Sequence, residues 1–585
     1  MYTGCVTDIK WERVFLTISG TVREVRGEEE ERDLLLARYA GLYAERDNGR
    51  VGDKDLPYEH VRRSFCEHAE HLTGIIGDGY DPERPYFFLR NEDYLNAFLL
   101  DDCKCDGETF SITVNVTNFR ERKAVPDGIY YISVFQNGID MELGISIELA
   151  ARSFDISRPF VYDKRRSCYL VSFSSTNDEQ DPVFRMQVMM LQTKIKKKFD
   201  LKRFLRETRD AVIKKLIVLY YNILYHILPH NGKHILFATE SRGDIQGNLK
   251  AVYDRMKERG LDKEYRISLS GRRAAGGHSS RSSWIRTVTL FAAADIILID
   301  DYAPMLTWLK LNKGTTLIQL WHAGVGFKSV GLCRFGANGS PHINNAHRQY
   351  DYAIVGSGSL KKVYSEVFGI EEDALIPTGL PRMDKVIDKA VNDRRRAEFY
   401  ELYPELKEKN IILFAPTFRG VNAKEAYYPY DKLDMKRIYD MCGSDYVFIF
   451  KMHPFVKDRP PIPEQYSDRI KDLSKAGDVN DMLPVVDILI TDYSSIIYEF
   501  STFRKPMLFF AFDQKSYSVI RGFQSDYEDF APGRICRDMD ELEDAVMNKN
   551  FEIEKVDRFV SENFDYLDAG SSDRFIDWMI LKKPH

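Results

Sequence analysis

The side chains best suited to chemistry stand in one run, Leu317-Ile318-Gln319-Leu320-Trp321-His322-Ala323-Gly324-Val325-Gly326-Phe327-Lys328. An apolar stretch that ends in a His, a turn with two glycines and a Lys predicts a buried strand delivering an imidazole to the mouth of a sheet. In open α/β sheets ligands bind outside the carboxyl ends of the strands. His322 is therefore a candidate general base, and the glycines would let a substrate come close to the backbone. A structural imidazole beside a tight turn is the other reading of the same residues.

A second constellation lies downstream. Polar residues follow three apolar strands in turn: Pro416-Thr417-Phe418-Arg419-Gly420 after 411–415, Lys451-Met452-His453-Pro454 after 446–450, and Thr491-Asp492-Tyr493-Ser494-Ser495-Ile496 after 488–490. Thr417, Arg419, His453, Ser494 and Ser495 would together cradle a diphosphate. Ser494 and Ser495 fall where a helix should begin, with Glu499 one turn on, so hydroxyls, free N–H groups and the positive helix end would favour a phosphate. Singly, each has a plainer reading. Asp492 to Ser495 could be an ordinary N-cap, His453 a satisfied structural imidazole and Arg419 a surface cation. The convergence of three strand ends carries the argument. The residues show no carboxylate cluster suited to a metal, and neither a metal nor a cofactor is expected.

These side chains need a scaffold to hold them. From about residue 233, strands such as His234-Ile235-Leu236-Phe237-Ala238, 296–299, 316–320, 352–355 and 374–376 alternate with helical patterns, and a second set from about 386 repeats the design. Alternation of this kind predicts parallel βαβ units. The expected fold class is α/β, with two Rossmann-like domains in the GT-B arrangement preceded by a β-rich N-terminal region. Residues 1 to about 190 supply that region: Phe110-Ser111-Ile112-Thr113-Val114-Asn115-Val116, Tyr130-Tyr131-Ile132-Ser133-Val134-Phe135 and similar runs are separated by turn signals such as Asn137-Gly138, which fits one or two β-sandwich modules. Between the two, Lys194 to Lys215 hold ten Lys or Arg against Asp200, Glu207 and Asp210, a local charge of +7, and run into the apolar, tyrosine-rich stretch 216–225. Such a segment suits either an anionic membrane surface or a linker helix packed on the next domain.

The expected division is 1–190 (accessory), 191–230 (basic amphipathic segment, a candidate membrane anchor), 231–385 (acceptor side) and 386–585 (donor side). With 585 residues, a net charge of −6 and 44% apolar content, the chain is folded globular material with no global pull toward nucleic acid. Eight scattered cysteines indicate reduced thiols, and Met1 to Gly20 lacks the features of a secretory signal.

The series Leu320-Trp321-His322-Ala323-Gly324, Thr378-Gly379-Leu380-Pro381-Arg382-Met383-Asp384, Phe414-Ala415-Pro416-Thr417-Phe418-Arg419, Lys451-Met452-His453-Pro454 and Thr491-Asp492-Tyr493-Ser494-Ser495 resembles the CDP-glycerol glycerophosphotransferase family of teichoic acid and capsule polymerases. Asp565 to Arg574 resembles its closing motif. The resemblance implies a peripheral enzyme on the cytoplasmic face of the cell membrane. It would move glycerol or ribitol phosphate from CDP-glycerol or CDP-ribitol to a lipid-linked polyol-phosphate or glycan acceptor, releasing CMP. It implies His322 as base and Arg419, His453, Ser494 and Ser495 as donor-phosphate binders, and it matches Lys328, Arg382, Asp384, Asp492 and Glu499 to family motif positions. The turn Ala323 to Phe327 departs from the family's usual Trp-His-Gly-Thr-Pro-x-Lys. Met383 interrupts the family's Arg-Asn-Asp, and Glu499 stands where an Asp is common. A nucleotide-sugar glycosyltransferase would use the same cradle, and a polymer-binding protein without catalysis is a third expectation to test.

Overall fold

The computed structural model describes residues 1–43, 58–163, 166–176, 182–192, 201–272, 281–322, 324, 328–336, 340–420, 425–521 and 523–584. Lys194, Lys196, Lys197, Lys198 and Asp200 of the basic run, and Ala323, Val325, Gly326 and Phe327 of the His322 turn, lie outside them.

The chain divides into two compact units, Met1–Lys198 with Leu332–Asn344, and Phe199–Gly331 with Asn345–His585. The first is β-rich. A five-stranded sheet centres on Tyr2–Glu12 and Phe15–Glu24, and a seven-stranded sheet on Tyr86–Asn91, Gly128–Gln136 and Phe184–Gln192. Leu16, Ile18 and Val22 alternate inward along one strand and share a core with Phe87, Leu89, Tyr169 and Val171 of the other sheet, the period-2 logic of a sandwich. The charged stretch at Glu28 opens a helix, Glu28–Tyr43. One correction concerns residues 332–344, which the sequence reading keeps within 231–385. They belong to the β-rich unit, because Phe335 and Ile343 are buried in its core and Phe335 stacks on Phe160 at 5.5 Å.

The second unit opens with one long helix, α1 (Leu201–Ile227), where the sequence reading expects a basic helix feeding an apolar one. Two parallel sheets follow. The first has β1 (His234–Thr239), α2 (Gly247–Glu258), β2 (Arg266–Gly271), α3 (Arg281–Ala293), β3 (Ile296–Ile299), β4 (Thr316–Gln319), β5 (Tyr352–Ile354) and β6 (Leu375–Ile376), in strand order β2-β1-β3-β4-β5-β6. The second has β7 (Asn410–Phe414), β8 (Tyr446–Phe450), β9 (Ile470–Asp472), β10 (Ile488–Thr491), α4 (Ile496–Ser501), β11 (Met507–Phe510) and β12 (Arg534–Cys536), in order β9-β8-β7-β10-β11-β12. β9 and β12 escape the sequence reading because three-residue edge strands with polar residues carry too little periodic signal. The central strands are buried on both faces and read as continuous apolar runs, as parallel strands under helices must. Strand order reverses at β1/β3 and at β7/β10, so each sheet has one crevice at its carboxyl edge.

The closing residues return to the first sheet's helices. Arg255 and Arg259 of the α2 end both hold Asp573, at 2.8 and 3.0 Å.

Candidate functional site

Strand β4 ends at Gln319, and His322 lies three residues beyond it. Between them Trp321 adopts a left-handed backbone (φ 53°), which costs a non-glycine residue on the order of 1 kcal/mol. Side chains over-determine that bend. Asn248 at the start of α2 donates its amide to the Leu320 and Trp321 carbonyls at 2.8 and 2.9 Å, and Gln319 accepts the Trp321 N–H at 2.8 Å. Trp321 is buried and His322 lies half-exposed against it, ring centroids 4.6 Å apart.

The His322 Nδ1 lies 3.2 Å from the Asp300 carbonyl and 3.8 Å from the Asp301 carboxylate. A carbonyl can only accept, so Nδ1 carries the hydrogen and Nε2 is left as the basic nitrogen. Asp300 is buried beside it. Burial raises its carboxyl above the usual range, against the Thr239 hydrogen bond and the Arg242 charge, which lower it. Asp300 and Asp301 are functional candidates that the sequence reading passed over. Their signal is the same as that of His322, polar residues just past the carboxyl end of a buried strand.

The second sheet gathers its residues differently. Asp492 is the hub: its carboxylate accepts the Thr417 N–H at 2.7 Å and the Arg419 Nη1 at 2.9 Å. Arg419 also grips Asp513 through Nε and Nη2, at 2.6 and 2.9 Å. Rings of Tyr428, Tyr493, Phe512 and Tyr517 surround the guanidinium. Burial opposes the Arg419 charge, yet the two carboxylates more than offset it and keep it protonated. The sequence reading makes Arg419 a phosphate ligand; in the structure its guanidinium pairs with two acids, Asp492 and Asp513. Asp513, three residues past the end of β11, was not foreseen.

The groups that face outward are others. Thr417 Oγ1 is not among them: it is buried, with no hydrogen-bond partner among the described residues. Ser494 is half-buried and Ser495 exposed, and the Ser494 Oγ accepts the Ile496 N–H at 3.4 Å. His453 packs between the Phe418 and Phe455 rings and accepts the Phe455 N–H at Nδ1, 3.2 Å. Burial, and then the nearby Lys328 charge, hold its imidazole below the ordinary range.

That Lys328 effect reports how the two edges meet. Lys328 forms a β-bridge with Phe523, and its Nζ stands 5.9 Å from the Tyr517 ring centroid. Gly324, two residues from His322, abuts the Tyr498 ring of α4, where an added Cβ would fall 2.3 Å from ring carbons. The turn leaving His322 thus packs on the helix that follows Ser494 and Ser495. The contacts described for His322 itself all lie on the first edge.

Arg382 pairs with Glu499 across the same junction at 2.5 Å, its Nε and Nη2 are buried with no hydrogen-bond partner among the described residues, and its N–H reaches Asn248 at 2.9 Å. Asp384 takes no part in the crevice. Its two oxygens accept the Ser571 and Ser572 N–H groups at 2.9 and 2.8 Å, tying one motif to the closing one.

Comparison with known proteins bears on this arrangement. Residues 220–581 match the family model described as CDP-Glycerol:Poly(glycerophosphate) glycerophosphotransferase. The chain is 38% identical over 377 residues to the teichoic acid poly(ribitol-phosphate) polymerase of Bacillus spizizenii, an alignment covering 64% of this chain and 60% of that protein. It is 31% identical over 555 residues to the teichoic acid ribitol-phosphate polymerase TarL of Staphylococcus aureus, covering 88% of this chain and 98% of that one. Among solved structures, the wall teichoic acid polymerase TagF superposes with a TM-score of 0.51 at 21% identity, covering 66% of this chain and 98% of that one, a likeness of fold.

Proposed function

This chain belongs to the CDP-glycerol:poly(glycerophosphate) glycerophosphotransferase family, and on that premise we propose that it transfers a polyol phosphate from a CDP-activated polyol to a hydroxyl of a teichoic-acid-like polymer, releasing CMP. Relatives named as ribitol-phosphate polymerases favour ribitol as the polyol. The observation that carries the reading is the packing of the His322 turn on the second sheet's edge, Gly324 against Tyr498 and Lys328 beside His453. It supports a role for His322 as a base acting beside a crevice that carries Lys328 and the Ser494–Ser495 hydroxyls.

A polyol hydroxyl ionises far above neutrality, so its proton must leave as the oxygen attacks. His322 Nε2 takes that proton while the oxygen bonds to the phosphorus that bears the polyol. The bond from that phosphorus to the bridging oxygen breaks, and CMP departs with the electron pair. The Asp301 carboxylate stabilises the imidazolium that forms. Lys328, His453 and the Ser494–Ser495 turn meet the charge on the phosphoryl oxygens and the leaving group. Arg419, Asp492 and Asp513 hold those groups in place.

We also propose that α1 lies on an anionic membrane surface. Leu205, Val212, Leu216, Leu219, Ile223 and Ile227 are exposed and recur on one face, while Tyr221 is buried on the opposite one. Within this 27-residue helix the stripe from Leu205 to Ile227 runs about 33 Å. Among the described residues, no helix is long and apolar enough to cross a membrane.

The test is a donor screen. CDP-ribitol, CDP-glycerol and a panel of UDP- and GDP-sugars are offered with a teichoic-acid primer, and the nucleotide product is identified. CMP from a CDP-polyol, lost about 10²-fold or more in His322→Ala, is expected. A nucleoside diphosphate from a nucleotide sugar, with no CMP from either polyol, would put the glycosyltransferase reading in its place.

A further inference from the structure

The carboxyl edge of the first sheet holds more than His322. At the ends of β1 and β2 is a cavity of about 460 Å³, lined among others by Asp244, Ser270, Ser283, Arg286 and Thr287. Ser283, Arg286 and Thr287 follow the 3 and 4 spacing that puts side chains on one face of α3. The floor is backbone: a Cβ on Gly271 would fall 1.7 Å from the Gly243 carbonyl oxygen, so only glycine lets the two chains meet there. The Arg272 guanidinium sits 3.8 Å from the Trp284 ring centroid and pairs with Glu240 at 2.7 Å, which fastens the start of α3 to the end of β1.

The cavity is in line with the base. Ser270 pairs in register with Ala238, Ala238 with Ile299 and Ile299 with Gln319, one row across β2, β1, β3 and β4. Neighbouring strands are about 4.8 Å apart, so the cavity lies on the order of 14 Å along the edge from the strand that delivers His322. Between them, at the β1/β3 crevice, Arg242 reaches to 3.9 Å from Asp300. Cations and carboxylates therefore alternate along the edge: Arg286 and Asp244, then Arg242 and Asp300.

We propose that this edge is the track of the acceptor polymer, and that the cavity at β1 and β2 holds a phosphodiester-linked polyol unit upstream of the hydroxyl presented to His322. The inference rests on the transferase reading and extends it to the acceptor. Its chemistry follows from the lining. A phosphodiester takes the Arg286 guanidinium, and the flanking polyol carbons offer hydroxyls to Asp244, Ser270, Ser283 and Thr287. A neutral glycan would leave Arg286 without an anion, and a polyanion without several hydroxyls between its phosphates would leave Asp244 and the three hydroxyl side chains without partners. A ligand that alternates anion and hydroxyls answers both.

The experiment uses the full chain and two synthetic acceptors, one with a single polyol-phosphate unit and one with several. Arg286 is exposed, so Arg286→Ala should fold as the unaltered protein does. It is expected to raise the KM for the long acceptor tenfold or more, and to erase most of the preference for long over short. Ser283→Glu, which puts a negative charge into the cavity with Arg286 intact, should do the same. A long-acceptor KM within twofold of the original, or an equal rise for both acceptors or for the CDP-polyol, overturns the proposal. Calorimetric titration with the long acceptor alone separates this from the function reading, because it needs no turnover. If no CDP-polyol yields CMP but Arg286→Ala still weakens that titration tenfold, the track stands and the transferase reading falls. If the unaltered protein does not bind the long acceptor, the track falls.

Discussion

Arg419 shows how a residue's role depends on its neighbours. As a free cation it would be a phosphate ligand, yet four of its five N–H donors go to Asp492, Asp513 and the Thr417 carbonyl. Arg419→Ala should therefore destabilise the protein without any ligand present, by about 3–5 kcal/mol, since it leaves the buried Asp492 carboxylate without its cation. A thermal melt checks this; an unchanged Tm with a raised donor KM would restore Arg419 as a direct ligand. His453 makes the converse case, an imidazole whose surroundings disfavour its charge. Its folded pKa lies below that of the unfolded chain, near 6.5, so the unfolded state binds the proton first. The stability that neutral His453 contributes is complete above that value and is lost as pH falls through it toward the lower folded value. Lys328→Met removes one of the two causes, and histidine NMR should then show the His453 titration moving upward. An unmoved titration would mean that Lys328 does not face it. The pairing of Lys328 with His453 is not legible in the sequence, because 125 residues separate them, whereas each residue's place just past a strand is.

At the scale of elements, the decisive contact is between the His322 turn and α4. A methyl on Gly324 has no room against the Tyr498 ring, and overpacking of this kind costs about 1–3 kcal/mol. Gly324→Ala is expected to lower the Tm and also to reduce turnover more than it raises the KM for the donor, because it pushes the base away from the crevice. A loss of stability with turnover intact would uncouple the turn from catalysis. The sequence reading gives those glycines to the substrate; the structure gives Gly324 to an aromatic ring. The strands that carry the two edges were legible, being continuous apolar runs with polar ends, while β9 and β12 were too short to announce themselves.

For the whole molecule, the exposed stripe on α1 and the basic residues of 194–215 make one prediction. The full chain should float with anionic vesicles, less so at high salt, and should stop floating when Leu205, Val212, Leu216, Leu219 and Ile223 are changed to Ser. Flotation undiminished in that variant would refute attachment through α1. The sequence by itself determined the class of the fold, the two repeated sheets and the strand ends where chemistry belongs. All of these are written in the spacing of adjacent residues. Only the tertiary structure decided that Asp384 caps the closing helix 187 residues away, that Leu332–Asn344 joins the β-rich core, and that the Asp300 carbonyl and the Asp301 carboxylate face the His322 Nδ1. These depend on which surfaces pack together, a matter of shape and burial summed over the molecule, and local periodicity does not encode it.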